Sequence, residues 1–319
     1  MRLAPARTAI AALVSVVALA ALAGCGASAG SDAAATVPAD RRVRVTATTN
    51  FIADTVRRIG GDRVEVTALM GAGVDPHLYK ASAGDVEDLR GADVILYGGL
   101  HLEGKMGDLL EKLSRRQTTK AVTDDIPASR LLEPPAGLAA DRDPHVWFDV
   151  TNWTIVARTI ADTLARKDPA DAAGYRRRLA AYERELDATD RHVQRRIDEI
   201  PRRRRVLVTS HDAFQYLGAR YGIEVAGIQG ISTAAEATTA DVQRVAQLIA
   251  DRGVKAVFVE SSVPRQTIDA VLAAARRLGA EARVGGELYT DAAGAEGTVE
   301  GTYVGMVRAN ADRIAEGLR

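Results

Sequence analysis

Two stretches of the chain alternate short apolar runs with amphipathic segments. In the first stretch, the apolar runs predict strands at Val43–Thr48, Val64–Leu69, Asp93–Tyr97 and Lys120–Val122. The segments between these runs predict helices at Phe51–Ile59, Ser82–Leu89 and Gly104–Arg115. Strands that alternate with helices form parallel sheets covered by helices. The first stretch therefore predicts an α/β lobe.

The second stretch repeats this plan. Its predicted strands are Val206–Thr209, Ile223–Ile228, Ala256–Val259 and Ala282–Val284. Its predicted helices are Ala213–Tyr221, Asp241–Arg252, Arg265–Leu278 and Val299–Leu318. The predicted fold class is therefore α/β, with two lobes of parallel sheet and helices.

A long helical segment, Val150–Ile200, separates the two stretches. Trp153–Lys167 is amphipathic, and from Pro169 onward apolar side chains recur at helical spacing as far as Ile197. A helix of about 30 residues is about 45 Å long, enough to run along both lobes. We therefore expect one long rigid backbone helix that joins the lobes and permits only small movements between them.

The start of the chain has the pattern of a bacterial lipoprotein signal peptide. Arg2 and Arg7 precede an apolar run, Thr8–Ala21, that is too short to span a bilayer. Leu22-Ala23-Gly24-Cys25 then matches a lipobox, in which the cysteine is acylated and becomes the first residue. We expect lipidation at Cys25 to hold the protein at the outer face of the cell membrane.

These segments define the predicted organisation of the chain. Residues 26–42, rich in Ala, Gly, Ser and Asp, have the composition of a flexible tether. The predicted domains are the lipoprotein signal peptide at 1–25, the tether at 26–42, an N-terminal lobe at 43–149, connecting helices at 150–200 and a C-terminal lobe at 201–319.

Charge and composition disfavour several classes of function. The chain has 42 basic and 42 acidic residues, so no basic field favours binding to nucleic acid. Aromatic residues make up only 4%, which disfavours base stacking. Cys25 is the only cysteine, which excludes a disulfide framework and a cysteine-based zinc cluster.

Three histidines lie in stiff loops or where a predicted strand ends. His77 and His145 each end an Asp-Pro-His tripeptide, and His211 lies at the end of a predicted strand. Proline fixes its own φ and restricts the preceding residue, so both loops present an imidazole rigidly. Open α/β sheets bind ligands at the carboxyl ends of their strands. The pattern indicates a metal site, in which Asp75 and Asp143 orient the rings or satisfy loop amides.

The sequence also suggests roles for four further polar residues, outside or beside the predicted metal site. His192 lies among arginines on the long helix, which indicates a solvated face. His101 lies in a loop before a predicted helix and fits a structural role or a position at the rim of the cleft. Glu260 ends a predicted strand, where its side chain either supports a metal ligand or forms a hydrogen-bonded cap at the end of the strand. Asp291 follows the last predicted strand, in a placement like that of His211.

Five motifs, in this order along the chain, resemble those of a known family. They are Asp75-Pro76-His77, Asp143-Pro144-His145-Val146-Trp147-Phe148-Asp149, Ser210-His211-Asp212-Ala213-Phe214, Glu260-Ser261-Ser262-Val263 and Gly285-Gly286-Glu287-Leu288-Tyr289-Thr290-Asp291. The chain resembles the metal-specific solute-binding lipoproteins of bacterial ABC importers, the zinc and manganese group also called adhesin lipoproteins. The resemblance covers Val43–Arg319.

The resemblance implies two lobes joined by a rigid helix, with one divalent ion held between them. It implies that His77 and His145 from the first lobe, and His211 and Asp291 from the second, are the ligands. It also implies that the protein delivers the ion to a membrane permease, while a separate cytoplasmic subunit hydrolyses ATP. The chain itself has no G-x-x-x-x-G-K-S/T motif. We expect a monomer.

The ligand set leaves the metal open between manganese and zinc. Three imidazoles and a carboxylate suit zinc, and a bidentate aspartate also allows five-coordinate manganese. Many zinc-importing relatives carry a His-rich loop between the first two ligands, whereas residues 117–142 contain no histidine. Glu260-Ser261-Ser262-Val263 is more similar to the manganese and iron branch, although that branch often has Glu at the position of His211. We therefore favour Mn2+ over Zn2+.

A zinc hydrolase and a surface adhesin are the alternatives. A hydrolase would use the same cluster, but it needs an open coordination position and a general base, for which Glu260 or Glu287 is available. A full set of ligands in a stiff, tethered, two-lobed protein instead favours capture of an ion. Adhesion is suggested only by the family's older name. We expect a binding protein and not an enzyme.

Overall fold

The computed structural model describes residues 36–134 and 142–319. The predicted signal peptide, Cys25 and the first part of the predicted tether lie outside the described residues. Within these ranges the protein has the expected α/β class, with two lobes and connecting helices. No helix found there is both long enough and apolar enough to cross a membrane.

The first lobe is one parallel sheet covered by helices. Its strands are β1 (Val43–Ala47), β2 (Val64–Ala68), β3 (Val94–Tyr97) and β4 (Thr118–Ala121). They pair in parallel in the order β2-β1-β3-β4. Its helices are α1 (Asn50–Gly60), α2 (Ala83–Gly91) and α3 (Gly107–Ser114). Every strand and helix predicted for this lobe is present.

Helix α3 begins later than the sequence predicts, at Gly107 instead of Gly104. The preceding residues form turns around the buried carboxylate of Glu103. That carboxylate accepts hydrogen bonds from the hydroxyl of Thr48 at 2.7 Å and from backbone N–H groups of its own loop. The loop also contains His101 with a φ of 64°. Because a right-handed helix needs a negative φ, it cannot start before these turns end.

Two helices connect the lobes, α4 (Val150–Lys167) and α5 (Ala172–Asp198). Pro169 begins a short 3-10 turn, Pro169–Asp171, and not the long helix itself. Helix α5 therefore has 27 residues. At 1.5 Å per residue it is about 40 Å long, slightly shorter than expected. The predicted long connecting helix is confirmed.

The second lobe contains the remaining elements. Its strands are β5 (Val206–His211), β6 (Glu224–Gln229), β7 (Ala256–Glu260) and β8 (Arg283–Leu288). Its helices are α6 (Gln215–Tyr221), α7 (Thr239–Arg252), α8 (Gln266–Arg277) and α9 (Tyr303–Leu318). Strand β5 pairs with β6, and β7 with β8, all in parallel, while β5 lies beside β7. Helix α9 starts at Tyr303 and not at Val299, because the side chain of Thr302 caps it.

One hydrophobic core runs through both lobes and the connecting helices. Trp153 of α4 stacks on Tyr303 of α9, with ring centroids 4.6 Å apart. Phe148 stacks on Phe214 at 4.3 Å. Helix α5 packs against both α1 and α9. Because separating the lobes would expose these rings to water, at about 1.5–3 kcal/mol for each one, the core opposes wide hinge opening.

The chain enters the described structure at the amino ends of the first lobe's strands. Val37 is buried, and its N–H donates to the carbonyl oxygen of Lys167 at 2.8 Å. Arg41 forms a bidentate ion pair with Asp93, the residue before β3. The last residues of the predicted tether therefore lie against the end of the lobe that is remote from the carboxyl ends of its strands.

Candidate metal centre

The four predicted ligands lie at the carboxyl ends of strands or in the loops that face them. His77 lies in the loop after β2, and His145 directly precedes the 3-10 turn Val146–Phe148 that leads into α4. His211 is the last residue of β5, and Asp291 follows β8. Parallel strands bring such loops to one edge of a sheet. The two edges face each other, so the four side chains meet between the lobes.

The four side chains form a compact cluster. One ligand atom from each lies within 4.8 Å of the others. Nε2 of His145 is 3.4 Å from Nε2 of His77 and 3.4 Å from Nε2 of His211. The Asp291 carboxylate is 3.5 Å from Nε2 of His145 and 3.4 Å from Nε2 of His211. These four separations are of the size expected between ligands of one ion, since ligand atoms about 2.1 Å from a tetrahedral zinc lie about 3.4 Å apart.

The cluster is closed to solvent. His77 is 4% exposed, and the other three residues are at most 1% exposed. A surface recess of about 960 Å³ lies beside β6 and α7, not around these side chains. The cluster therefore fits a bare ion and not an organic substrate.

Asp143 holds the ring of His145. Its Oδ1 accepts hydrogen bonds from Nδ1 of His145 at 2.7 Å and from the His145 backbone N–H at 2.9 Å. The Asp143 carbonyl oxygen in turn accepts a hydrogen bond from the hydroxyl of Tyr216, in the second lobe, at 2.9 Å. A proton fixed on Nδ1 leaves the lone pair of Nε2 directed into the cluster, as a metal ligand requires.

Glu260 supports His211 in the same way. Its Oε2 lies 2.5 Å from Nδ1 of His211, and its Oε1 accepts the His211 backbone N–H at 2.8 Å. Glu260 is itself buried. Both of its oxygens are thus used to position the histidine, and neither is directed at a substrate as a general base would be.

His77 is held through its loop and not through its ring. Its backbone N–H donates to Oδ1 of Asp75 at 2.8 Å. Oδ2 of Asp75 accepts a hydrogen bond from the hydroxyl of Thr233, in the second lobe, at 2.5 Å. In the described ranges no hydrogen bond holds Nδ1 of His77. Asp75 therefore satisfies a loop amide and links the lobes, whereas Asp143 orients a ring.

The carboxylates around the cluster favour protonated imidazoles in the absence of a metal. Burial alone would lower the pKa of His145, but the Asp143 and Asp291 carboxylates outweigh it and raise that pKa to about 9. Burial also opposes protonation of His211, yet Glu260 and Asp291 raise its pKa well above the ordinary value. A metal ion would take the place of these protons.

The pKa values of His77 and Asp291 are lowered, whereas those of His145 and His211 are raised. Burial lowers the pKa of His77 to about 3, so this ring is neutral at physiological pH. Burial would raise the pKa of Asp291, but the His211 and His145 rings hold it well below its usual range. The site therefore offers one neutral imidazole and one carboxylate anion that need lose no proton to bind a cation.

Hydrogen bonds between the lobes surround the cluster. Asn50 and Ala293 exchange a reciprocal pair, at 3.0 and 2.9 Å. Nε1 of Trp147 donates to the carbonyl oxygen of Thr290 at 3.1 Å. No local pattern in the sequence marks these partners, because they lie 243 and 143 positions apart. They add to the stiffness that the long helix predicts.

The other polar residues singled out in the sequence lie away from the cluster. His101 is exposed at the edge of a separate recess in the first lobe. Nε2 of His192 lies 2.9 Å from Oδ1 of Asp312 on α9, so this histidine pairs with a neighbouring helix. Glu287 is exposed. None of these three residues contributes to the cluster.

The donor set determines what the cluster can bind. Three imidazole nitrogens and a carboxylate suit zinc and neighbouring divalent transition metals. Both oxygens of Asp291 face the cluster, one towards His145 and the other towards His211. The carboxylate can therefore bind through one oxygen or two, which gives four- or five-coordination.

Residues 45–317 match a family model described as ZnuA, the periplasmic component A of a zinc-uptake complex. This match covers most of the chain. The chain belongs to this family. It is 46% identical over 297 residues to the manganese-binding lipoprotein MntA of Bacillus subtilis (strain 168), which covers 93% of this chain and 94% of MntA.

Two further relatives agree with this assignment. The zinc-binding protein TroA of Treponema pallidum is 46% identical over 280 residues, covering 88% of this chain and 90% of TroA. The solved TroA structure matches with a TM-score of 0.84 and 45% identity, over 87% of this chain and 99% of that one. An iron ABC transporter substrate-binding lipoprotein, MtsA of Streptococcus pyogenes serotype M1, is 32% identical over 283 residues, covering 87% and 89%.

Membership of the family establishes the class of function. The protein is an extracytoplasmic solute-binding component of a metal importer and not an enzyme. A component of this kind works with a membrane permease and an ATPase. The expectation of a binding protein is confirmed, and nothing in the family supports the hydrolase alternative.

Proposed function

We propose that the protein captures one divalent ion through His77, His145, His211 and Asp291, and that its cargo in the cell is Mn2+, with Zn2+ as the alternative. The convergence of three Nε2 atoms and a carboxylate within 4.8 Å of one another carries this proposal. The side chains come from both lobes and are buried, so a bound ion would lie shielded from water between them. Asp143 and Glu260 would hold two of the imidazoles in the tautomer that binds metal.

The preference for manganese rests on two features of the chain. Residues 117–142 contain no histidine, unlike the loop of many zinc importers. Both oxygens of Asp291 face the cluster, which allows the higher coordination number that manganese accepts. Identity does not separate the metals, because MntA and TroA are both 46% identical to this chain. Zinc should bind at least as tightly as manganese, so supply outside the cell contributes to the choice of cargo.

We further propose a lipid-anchored monomer that captures the ion with only slight closure. The lipobox at Cys25 and the lipoprotein relatives support the anchor. The core that continues across both lobes, together with the long helix, supports small movements. The loaded protein would then dock on the permease, which takes the ion.

The test is the metal content of the chain purified from Gly26 onward, followed by competition titration with Mn2+ and Zn2+. We expect about one ion per chain in the parent and none in the His77→Ala variant. Manganese binding in the low micromolar range or tighter would support manganese import, whereas binding of zinc alone would favour the alternative cargo. No stoichiometric metal under any condition would contradict the proposal.

A further inference from the structure

The end of the first lobe where the chain enters the structure carries seven exposed cations. We name it the N-lobe basic end and define it by its exposed cations, which are Arg41, Arg42, Arg44, Arg90, Lys112, Arg115 and Arg116. We propose that this surface binds the anionic lipid headgroups of the membrane that carries the protein. The inference rests on the proposed lipid anchor at Cys25.

Four of the seven cations surround a recess of about 340 Å³. Its rim and floor are formed by Arg90, Leu109, Lys112, Leu113, Arg115 and Arg116. Arg115 pairs with Glu111 at 2.6 Å. In the described ranges the side chains of Arg90, Lys112 and Arg116 have neither a hydrogen bond nor an ion pair. Exposed cations beside a partly apolar floor are typical of surfaces that contact anionic bilayers.

The recess and the chain entry form one continuous surface. Gln117, next to Arg116, donates from Nε2 to the carbonyl oxygen of Ala92 at 3.3 Å. The following residue, Asp93, accepts from Arg41 at 2.6 Å and from the backbone N–H of Arg44 at 2.8 Å. Asp93 thereby connects the ends of α2 and α3 to the segment that leads back to the predicted tether.

Charge is segregated at this end. The whole chain has equal numbers of basic and acidic residues. The recess at the N-lobe basic end is lined by four cations, Arg90, Lys112, Arg115 and Arg116, and, among the described residues, by no carboxylate. Of the carboxylates beside these cations, Asp93 and Glu111 already pair with arginines, whereas Glu87 and Asp108 lie one helical turn before Arg90 and Lys112. The lining of the recess is therefore cationic although the protein as a whole is neutral, which favours an anionic partner there.

Covalent geometry keeps this end near the bilayer. Cys25 and Val37 are 12 positions apart, so the chain between them spans at most about 40 Å when fully extended. Electrostatic attraction to a charged bilayer acts within a Debye length, about 8 Å at physiological salt. Each basic residue near an anionic surface strengthens binding about fivefold. The N-lobe basic end is therefore the described surface nearest the anchor along the chain, and its cations would add to the anchor once they come within a Debye length of the headgroups.

The opposite end of the molecule offers a matched control. Arg202, Arg203 and Lys255 are exposed near the end of α5, about 40 Å along the helix from its start beside the first lobe. In the described ranges their side chains also lack ion pairs. These three cations match in number the three cations without ion pairs at the recess, Arg90, Lys112 and Arg116, but they lie at the far end from the anchor. Proximity to the anchor, and not charge alone, distinguishes the two surfaces.

The experiment uses the mature chain, Cys25–Arg319, coupled through its only cysteine to maleimide-lipid in vesicles. Surface lysines are then acetylated with a water-soluble reagent and quantified by mass spectrometry. On vesicles with about 30% phosphatidylglycerol we expect Lys112 to react at least about fivefold more slowly than on pure phosphatidylcholine. We expect Lys255 to change by less than about twofold and 0.5 M salt to remove the protection of Lys112.

Charge reversal sharpens the test. Arg90→Glu with Arg116→Glu should abolish the protection of Lys112, whereas Arg202→Glu with Arg203→Glu should leave it unchanged. Equal protection of Lys112 and Lys255, or protection of neither, would overturn the inference. Protection of Lys112 by inorganic phosphate without vesicles would instead indicate a site for soluble anions and would also overturn it.

Failure of the proposed membrane surface can be distinguished from failure of the proposed metal-binding function. Each preparation is also assayed for stoichiometric metal, which reports on folding and on the metal site. Normal metal content without selective protection of Lys112 would refute the membrane surface alone. Absence of acylation at Cys25 in cells would refute the anchor, because the coupled protein does not depend on natural lipidation.

Discussion

The loop that carries His77 and the two positions that carry His145 and His211 present the same ligand by different means. Carboxylates hold the rings of His145 and His211 through Nδ1, at 2.7 and 2.5 Å. The ring of His77 has no such support in the described ranges, and only its backbone is held, by Asp75. Three buried imidazoles in one cluster therefore differ in how firmly they are oriented.

This difference assigns distinct tasks to the two regions. In the proposed site, His145, His211 and Asp291 would form the preorganised part, because carboxylates already orient both rings. His77 would complete the coordination from a loop that links the lobes through Asp75 and Thr233. Closing the site then requires only local adjustment at His77, and the core shared by both lobes stays intact. Mutations in the two regions should accordingly have unequal effects.

The largest effect should come from removing a ligand of the preorganised part. His145→Ala or Asp291→Ala is expected to weaken metal binding by more than about 100-fold, beyond the usual effect of an outer partner. His192→Ala removes a histidine that pairs with Asp312 outside the cluster and should change affinity less than about twofold. Isothermal titration with Zn2+ measures all three variants. Equal losses in the three would contradict the assignment.

The affinity for metal should depend strongly on pH because of His145 and His211. Metal binding requires neutral imidazoles, and the metal-free protein raises the pKa of both His145 and His211. Binding near pH 7 should therefore release about one to two protons, and affinity should fall at least about 100-fold from about pH 7.5 to 5.5. His77, with a pKa of about 3, adds no proton competition in this range. Titration in buffers of different ionisation enthalpy counts the protons, and constant affinity would refute histidine ligation.

A smaller effect is expected from the carboxylates that hold the rings. Glu260→Gln and Asp143→Asn keep the size of each side chain but remove the charge that fixes the tautomer. Each should reduce metal affinity about 10- to 100-fold, as is typical of such partners. Asp312→Asn, which alters the partner of His192, is the matched control and should have no effect. Wild-type affinity in both Glu260→Gln and Asp143→Asn would show that ring orientation is set by packing alone.

The smallest effect should come from the hydrogen bond that Thr233 donates to the loop of His77. Thr233→Val removes the hydroxyl that donates to Asp75 but keeps the shape of the side chain. Because His77 keeps its own backbone bond to Asp75, we expect affinity to fall less than about tenfold. Stopped-flow measurement of zinc dissociation should show a faster rate than in the parent. A loss as large as that of Glu260→Gln would mean that the two regions do not differ as described.

Much of the fold could be predicted from the sequence, because alternation and helical periodicity are local signals. The strands of both lobes and the long helix follow from them. The starts of α3 and α9 could not be predicted, since a buried Glu103 and the cap by Thr302 set them. The division of the second lobe's strands into two pairs also has no marker in the sequence.

In the candidate site, too, the roles of single residues depend on contacts that the local sequence does not mark. Asp75 and Asp143 occupy identical tripeptides, yet one satisfies an amide and bonds to Thr233 while the other orients a ring. Both carboxylates accept the backbone N–H of the histidine two residues on, but Asp143 also meets the ring of that histidine, whereas Asp75 meets Thr233, 158 positions away. Glu260 was ambiguous for the same reason, since only the fold brings it to His211.

Anomalous diffraction from crystals grown with Mn2+ tests most directly whether His77, His145, His211 and Asp291 bind one ion. We expect one strong anomalous peak per chain, within bonding distance of Nε2 of His77, His145 and His211 and of the carboxylate of Asp291. A peak elsewhere in the protein, or a peak that lacks one of these four side chains as a ligand, would contradict this expectation.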